Sequence, residues 1–324
     1  MEMEFIILVV ILAILGFMYE QLSRRKVREK PILGQMVDMG GHRLHVTDRG
    51  EGGQTVVIIH GAGDSSYSWR HIINELSKSN RVITFDRPGM GSSDAGPDPS
   101  PEHTVKEVHD LLEKLEVKGP YVLVGHSLGG LISRLYAMEY PDKVAGLVFL
   151  DSTHEFLIDD VKFKQGFAAL GVMLKILRGL SPFGVPRFLG NVLGILPMFG
   201  SEKSYYRQQI SPAEFKQWKE MVYQIFAGKA AGAEFKMASA HIEVAASCLK
   251  NCKEKPQFGN LPIAVVNNPG FGDNWTEMQK ELASRSTNHF HKISDRKGHS
   301  LQMPRPEYAL EAIHHVVEQT QLNK

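Results

Sequence analysis

Stretches of apolar and polar residues alternate along the chain in a way that predicts strands and helices in turn. A hairpin is predicted where Gln35–Met39 and His42–Thr47 flank a Gly-Gly pair. Runs rich in β-branched residues predict further strands at 55–60, 81–86, 121–124, 144–151, 263–267 and 289–294. Amphipathic segments predict helices at 128–140, 275–285 and 307–319. Because nearly continuous apolar strands alternate with helices, the pattern indicates an α/β fold with a mostly parallel sheet covered on both faces.

One long segment departs from this alternation. Residues 154–255 have helical patterning without a clear strand, and the first half is rich in Leu, Phe, Met and Gly. We expect this segment to form a helical cap over the carboxyl ends of the strands. The core would then consist of residues 31–153 and 256–324. The apolar cap residues either pack the cap onto the core, line an acyl pocket or touch a bilayer, and these alternatives stay open.

The N-terminal residues 1–30 are interpreted as a membrane anchor with a basic flank. Phe5–Tyr19 contains no charge and would rise about 22 Å as a helix, short of the ~30 Å hydrocarbon core. Snorkelling of Glu4 and Glu20 would extend it to a marginal span. Basic residues follow this stretch at Arg24, Arg25, Lys26, Arg28 and Lys30. The positive-inside bias therefore predicts a single-pass anchor with a cytoplasmic catalytic domain.

Two other interpretations of the N-terminus stay open, a cleaved signal peptide and a helix lying in the membrane interface. The acidic Glu2 and Glu4, together with the absence of an Ala-x-Ala site after the apolar run, are atypical of a secretory signal.

Composition excludes several classes of protein. The 324 residues include 37 Lys plus Arg against 36 Asp plus Glu. This charge balance gives no indication of nucleic-acid binding. The two cysteines, Cys248 and Cys252, provide no disulfide framework and too few ligands for a structural zinc site.

The strongest chemical motif is Gly125-His126-Ser127-Leu128-Gly129, between a predicted strand and a predicted helix. This is the setting of a nucleophile elbow, in which the serine hydroxyl is presented above the sheet on a strained turn. Ser127 is therefore the candidate nucleophile, and the helix N-terminus beside it favours an oxyanion. The alternative is a glycine-rich turn with an incidental serine.

Two further motifs complete the candidate chemistry. His60-Gly61-Ala62-Gly63 ends a predicted strand, and we assign the oxyanion hole to the N–H groups of Ala62 and Leu128. His60 is expected to fix this loop by hydrogen bonding rather than to transfer protons. His299 follows the last predicted strand and is the candidate general base for Ser127.

With these motifs in order, the sequence from about Gly34 to the C-terminus resembles the α/β-hydrolase superfamily, and within it a capped serine esterase or lipase. Further landmarks are Trp69 and the segment Asp86–Ser93. The resemblance implies an eight-stranded, mostly parallel sheet, a cap inserted after strand six, and chemistry without metal or organic cofactor. It also implies that Asp86 and Arg87 brace their loop. Members with an Asp nucleophile hydrolyse haloalkanes or epoxides, and Ser127 speaks against both.

The acid of a Ser-His-Asp triad has two candidates. The resemblance places such an acid most often after strand seven, where Asp273 lies, and in other members at the end of strand six, where Asp151 lies. A carboxylate buried under the cap would need a partner such as His299. We favour Asp151 and keep Asp273 as the alternative.

Together these features predict a serine hydrolase that cleaves a lipophilic carboxylic ester through an acyl-enzyme. A thioesterase, amidase, perhydrolase or C–C bond hydrolase would carry the same motifs, and a non-catalytic binding protein of this fold is a further alternative. The expected partners are a small-molecule ester and a membrane, with no nucleic acid and no partner protein inferred.

Overall fold

In the computed structural model, which describes residues 2–28, 34–193, 211–251, 257–295 and 297–322, eight strands form one sheet. The strands are β1 (Gln35–Asp38), β2 (Arg43–Arg49), β3 (Thr55–Ile59), β4 (Arg81–Phe85), β5 (Tyr121–His126), β6 (Val144–Leu150), β7 (Ile263–Asn267) and β8 (His289–Ile293). Their order in the sheet is β1-β2-β4-β3-β5-β6-β7-β8. Strand β2 is antiparallel to both its neighbours, and the remaining pairs are parallel. The predicted eight-stranded, mostly parallel sheet and its hairpin are confirmed.

Helices precede, separate and follow the strands along the chain. They are α1 (Glu2–Arg28), α2 (Arg70–Leu76), α3 (Pro101–Lys114), α4 (Leu128–Glu139), α5 (Val161–Leu180), α6 (Val185–Phe188), α7 (Pro212–Ala227), α8 (Ala230–Asn251), α9 (Asp273–Ala283) and α10 (Pro306–Leu322).

Alternate side chains of each central strand enter two separate hydrophobic cores. Val57 and Ile59 of β3 belong to the core on the side of α3, α4 and α9, whereas Val56 and Ile58 belong to the core on the side of α2 and α10. Because side chains of a strand point alternately to opposite faces, a strand buried on both faces must be apolar at every position. This explains why the central strands read as unbroken apolar runs.

The described residues between β6 and β7 form helices and turns, as expected for a helical cap inserted after the sixth strand. Helices α5, α7 and α8 pack on one another there. Residues 194–210 and 252–255 of the expected cap lie outside the described residues. The parallel strands β3, β5, β6 and β7 all end at the edge of the sheet beneath this insertion, so loops from several parts of the chain meet there.

Two described stretches are long and apolar enough to cross a membrane, Glu2–Arg25 and Val161–Phe183. The first forms most of α1, whose large apolar side chains are exposed along nearly its whole length. The second comprises α5 and the turn that follows it. The N-terminal helix is therefore a candidate span, and its 27 residues rise about 40 Å, longer than the uncharged stretch alone.

Candidate active site

The junction between β5 and α4 holds Ser127 in a strained backbone conformation. Its φ of 52° and ψ of −120° lie in a region that residues with a Cβ atom rarely adopt. The N–H of Ser127 donates to the carbonyl of Leu150 at 3.1 Å, and its own carbonyl accepts from the N–H of Thr153 at 3.0 Å. The end of β6 and the residues after it therefore fix the position of this turn.

Glycine is required on both sides of Ser127 because other backbone approaches closely. A Cβ atom on Gly125 would lie 2.4 Å from the carbonyl oxygen of Gly129, and one on Gly129 would lie 2.1 Å from the carbonyl oxygen of Ile59. Both distances are shorter than a carbon–oxygen contact allows. The spacing of the two glycines thus fits the tight strand–turn–helix junction of a nucleophile elbow.

Asp151 directly follows β6, and its carboxylate is wholly buried. Its Oδ1 accepts a hydrogen bond from the N–H of Asn268 at 3.2 Å and from Trp275 Nε1 at 2.7 Å. Its Oδ2 accepts from Asn268 Nδ2 and from His299 Nδ1, the latter at 2.6 Å. Burying a carboxylate costs free energy unless its oxygens are hydrogen-bonded. Here both oxygens of Asp151 accept hydrogen bonds from these donors.

His299 lies between β8 and α10, and its imidazole contacts the buried carboxylate of Asp151. Since Nδ1 donates to Asp151, the basic atom of the neutral imidazole is Nε2. Asp273 is the first residue of α9 and is exposed. A carboxylate at this position is favoured by the N–H groups of the helix terminus, a role that requires no histidine.

His126, the residue before Ser127, contacts the loop that carries His299. Its Nε2 donates to the main-chain carbonyl of His299 at 2.8 Å, and the two ring centroids are 4.7 Å apart. Burial, together with the neighbouring imidazole, lowers the pKa of His126 well below its ordinary value, so the ring stays neutral. The last residue of β5 therefore holds the His299 loop beside the Ser127 turn.

The turn after β3 carries Ala62, and two charged side chains form hydrogen bonds with the backbone of this turn. Arg87 Nη1 and Nη2 donate to the carbonyls of His60 and Gly61 at 2.5 and 2.8 Å. Glu234 of α8 accepts from Arg87 Nε at 2.5 Å and from the N–H of Gly63 at 2.9 Å. Among the described residues, the N–H groups of Ala62 and Leu128 have no hydrogen-bond acceptor.

Burial also shifts the ionisation of the groups that hold this turn. Burial and the positive charge of Arg87 lower the pKa of His60 to about 4. The neutral ring donates from Nδ1 to the carbonyl of Gly61 and accepts from the N–H of Arg87 at Nε2. Burial raises the pKa of Glu234, but the charge of Arg87 outweighs it and holds this pKa below its ordinary value. Glu234 is thus ionised and His60 neutral near pH 7.

Apolar cap side chains lie next to this turn. A buried cluster that contacts Ala62 comprises Leu174, Leu177, Phe215, Trp218, Val222, Tyr223, Phe226, Phe235 and Met303. A Cβ atom on Gly63 would meet the ring of Phe235 at 3.3 Å. The exposed ring of Phe271 packs edge-on against His299, with centroids 5.4 Å apart. Apolar side chains therefore contact both the turn that carries Ala62 and the ring of His299.

Two further observations on the described residues concern metal ligands and a surface groove. No group of three or more His, Cys, Asp or Glu side chains among them is arranged to hold a metal ion. A groove of about 920 Å³ is lined by residues of β2, α2 and α7, including Arg49, Arg70 and Gln217, and does not include Ser127 or His299.

The chain belongs to the family of proteins with the alpha/beta hydrolase fold, whose model matches residues 54–306. The resemblance seen in the sequence is thereby confirmed at the level of the family.

Among curated relatives, cis-3-alkyl-4-alkyloxetan-2-one decarboxylase of Shewanella oneidensis is 32% identical over 136 residues, which make up 41% of this chain and 42% of that protein. Mouse epoxide hydrolase 4 is 33% identical over 121 residues, 35% of this chain and 33% of that protein. The chain thus spans less than half the length of these relatives.

Among solved structures, a laboratory-evolved variant of potato epoxide hydrolase superposes with a TM-score of 0.69 at 20% identity, covering 88% of this chain and 98% of that one. A thermophilic esterase from Thermogutta terrifontis gives 0.59 at 21% identity, with 89% and 99% coverage. At these identities the likeness shows the shared fold.

Several residues that shape the site were not singled out in the sequence. Glu234 lies in the cap and carries no motif, so only the fold brings it to the turn after β3. Asn268 and Trp275, which donate to Asp151, follow β7 and begin α9. An indole near the start of an amphipathic helix resembles any core residue, and its hydrogen bond to a carboxylate has no sequence signal.

Proposed function

We propose that this protein is a serine hydrolase that cleaves a lipophilic carboxylic ester, with Ser127 as nucleophile, His299 as general base and Asp151 as the acid that orients it. The observation that carries the proposal is the strained Ser127 turn, together with His299, whose Nδ1 is held by a buried carboxylate and whose main-chain carbonyl accepts a hydrogen bond from His126, the residue before Ser127. Strain at a residue with a Cβ atom persists where the surrounding structure enforces it, and it concentrates at functional sites.

In the proposed reaction, neutral His299 removes the hydroxyl proton of Ser127 through Nε2 while the oxygen attacks the ester carbonyl. The protonated imidazole then gives this proton to the leaving alcohol, and an acyl-serine forms. His299 next takes a proton from water, whose oxygen attacks the acyl carbon, and returns it to Ser127 as the acid leaves. Asp151 retains its charge and stabilises the imidazolium in both halves.

The oxyanion would be held by the N–H groups of Ala62 and Leu128. Leu128 is the first residue of α4, where N–H groups lack acceptors within the helix. Ala62 lies in the turn whose backbone is hydrogen-bonded by Arg87 and Glu234. Donors fixed in advance stabilise the developing charge without reorganising, and one such donor is worth about 10²–10³ in turnover.

The lipophilic character of the ester is inferred from the apolar cap cluster against Ala62. Relatives include proteins named as epoxide hydrolases and a decarboxylase, so the family alone does not specify an ester. Serine at the elbow favours acyl transfer, because members of the superfamily that the sequence resembles use aspartate there for epoxides and haloalkanes.

Hydrolysis of p-nitrophenyl acetate, butyrate and octanoate tests the substrate class. We expect kcat/KM to rise with acyl length, and Ser127→Ala to lose about 10⁴-fold or more. A strict preference for acetate would contradict the lipophilic pocket. Undiminished esterase activity in Ser127→Ala would contradict the role of Ser127.

We also propose that α1 is a single-pass anchor that leaves the hydrolase domain in the cytoplasm, in line with its exposed apolar surface and the basic residues at its C-terminal end. Carbonate extraction should leave the full-length chain in the membrane pellet. Protease added to sealed cells should leave the domain intact, and cleavage of the domain would contradict the orientation.

A further inference from the structure

Helix α1 packs closely against the cap. A Cβ atom on Gly16 would lie 2.3 Å from the carbonyl oxygen of Phe183, and one on Gly184 would lie 3.0 Å from the carbonyl oxygen of Gly16. The two backbones therefore touch where both segments have glycine. The turn Ser181–Phe183, which joins α5 to α6, forms this contact.

A buried ionic cluster fixes the same contact. Arg187 of α6 is 1% exposed, and its Nε donates to Glu20 Oε2 at 2.8 Å. Its Nη1 donates to Glu220 of α7. The hydroxyl of Tyr19 accepts from Asn191 Nδ2 at 3.2 Å. Breaking such a buried pair leaves an uncompensated charge, so the cluster holds α1, α6 and α7 in one orientation.

This contact determines the depth of the cap relative to a bilayer that contains α1. Gly16 belongs to the uncharged stretch Phe5–Tyr19 and precedes its end by three residues, about 4.5 Å along the helix. A cap segment whose backbone touches Gly16 must lie at the same depth. The turn Ser181–Phe183 is therefore at the boundary between hydrocarbon and headgroups whenever α1 spans the membrane.

The cap exposes apolar side chains next to this segment. They form what we call the cap face, which consists of Val172, Ile176, Leu180, Phe183 and Phe188. Ile176 is 56% exposed and Phe188 51% exposed. Exposed apolar side chains that lie together on a folded surface indicate an interaction site.

The positive charge of α5 is complementary to the surface of a bilayer that contains anionic lipids. Its charged residues are Lys162, Lys164, Lys175 and Arg178, all basic and exposed, and the helix has no acidic residue. Long basic side chains beside an apolar face can keep their charges at the headgroups while the face enters the acyl region, and anionic lipids favour this arrangement.

Although α5 is apolar enough to cross a membrane, the side of the helix that does not belong to the cap face is packed into the cap. Leu174 and Leu177 are buried in the cluster that contacts Ala62. A helix with one side in a protein core and the other side exposed lies along a surface rather than across a bilayer.

From these contacts we propose that the cap face is seated in the interface of the same bilayer that α1 crosses, on the side of the basic flank, with phospholipid as its partner. The inference rests on the membrane anchoring of α1 proposed above and is independent of the chemistry at Ser127. It places α5 between the bilayer and the apolar cluster beside the site, so that a lipophilic ester reaches the site from the membrane.

Spin labels on the full-length chain test the depth of each segment. In a Cys248→Ser/Cys252→Ser background, single labels are placed by Ile176→Cys and Phe188→Cys on the cap face, by Leu8→Cys on α1, and by Asp142→Cys as an exposed control next to the amino end of β6. The protein is reconstituted in vesicles of phosphatidylcholine and phosphatidylglycerol, and collisions with oxygen and with a water-soluble nickel chelate are compared.

We expect the labels at 8, 176 and 188 to gain oxygen collisions and lose nickel collisions relative to the label at 142. A lipid-exposed label at 8 with water-exposed labels at 176 and 188 would overturn the cap-face proposal and leave the anchor intact. A water-exposed label at 8 would overturn the anchor and the cap face with it. Spin–spin broadening at 176 that disappears on dilution with unlabelled protein would assign the face to a second copy of the chain and overturn the lipid proposal.

Discussion

His299 Nδ1 lies 2.6 Å from Oδ2 of Asp151, across 148 positions of sequence. The contact joins the end of β6 to the segment after β8, and β6 also holds the backbone of Ser127 through Leu150. It sets the tautomer of the imidazole, because a ring that donates from Nδ1 offers Nε2 as its base.

This contact predicts different outcomes for the two candidate acids. Asp151→Asn should lower kcat by about 10³–10⁴-fold, because an amide can donate to Nδ1 and thereby favours the wrong tautomer. The buried site should otherwise keep its shape, since the amide is isosteric with the carboxyl. Ester turnover under saturating substrate measures the effect.

The matched control is Asp273→Asn, which should keep kcat within about twofold because this exposed side chain begins a helix. A large loss in Asp273→Asn together with wild-type turnover in Asp151→Asn would reverse the assignment.

Glu234 is predicted to position the turn that carries Ala62. Glu234→Gln removes the charge that pairs with Arg87 and puts an amide donor in place of one of the two oxygens that now accept from N–H groups. If the turn shifts, the Ala62 amide leaves the oxyanion, and kcat should fall by about 10-fold to 10³-fold with KM little changed. Steady-state kinetics on p-nitrophenyl butyrate separate these constants.

Glu243→Gln is the control for this change, since Glu243 lies on the same helix and is exposed. Circular dichroism would verify that both variants are folded. Equal kcat values for the two folded variants would show that Glu234 has no part in positioning the turn.

His60 should make stability depend on pH. Its folded pKa is about 4, below the ordinary 6.5, so between these values the unfolded chain binds the proton more readily. The stabilisation is complete above pH 6.5 and is lost as pH falls through 4, amounting to about 3 kcal/mol. The lowered pKa of His126 acts in the same direction.

Urea unfolding of wild type and His60→Asn at pH 7, 6 and 5 measures this dependence. The free energy of unfolding of the wild type should decline more steeply with falling pH than that of the variant. Parallel declines would mean that His60 does not titrate in the folded chain near pH 4.

Glycine substitutions distinguish the elbow from an exposed helix. Gly129→Ala would bring a Cβ atom to 2.1 Å from Ile59 backbone and should destabilise by more than about 3 kcal/mol or prevent folding. Gly166 lies at an exposed position of α5 with nothing within 4 Å of an added Cβ atom, and Gly166→Ala should stabilise by about 0.5–1 kcal/mol. Melting temperatures of the two variants, if shifted equally, would contradict the close packing of the elbow.

The fold was accessible from sequence because its strands and helices have clear periodicities. The apolar runs at 55–60 and 263–267 correspond to the buried strands β3 and β7, and the Gly-Gly pair to the hairpin β1–β2. The ends of elements were less well predicted. The helix expected at 275–285 begins two residues earlier, at Asp273, because the preceding glycine has a positive φ that ends the turn before it.

Within the site, the sequence was most informative where the chemistry is encoded locally. The motif around Ser127 combines the candidate nucleophile and two closely packed glycines within five residues, and the strained backbone of Ser127 lies between those glycines. The contact between Asp151 and His299 depends on where two distant loops meet, which periodicity does not report. The catalytic roles of these residues remain predictions.

Labelling of the native protein with a fluorophosphonate probe, followed by mass mapping of the modified peptide, tests the central proposal most directly. If Ser127 is the nucleophile, one covalent adduct should form on Ser127, disappear in Ser127→Ala and persist in the exposed-serine control Ser284→Ala. A native protein that takes up no probe, or an adduct that survives Ser127→Ala, would contradict it.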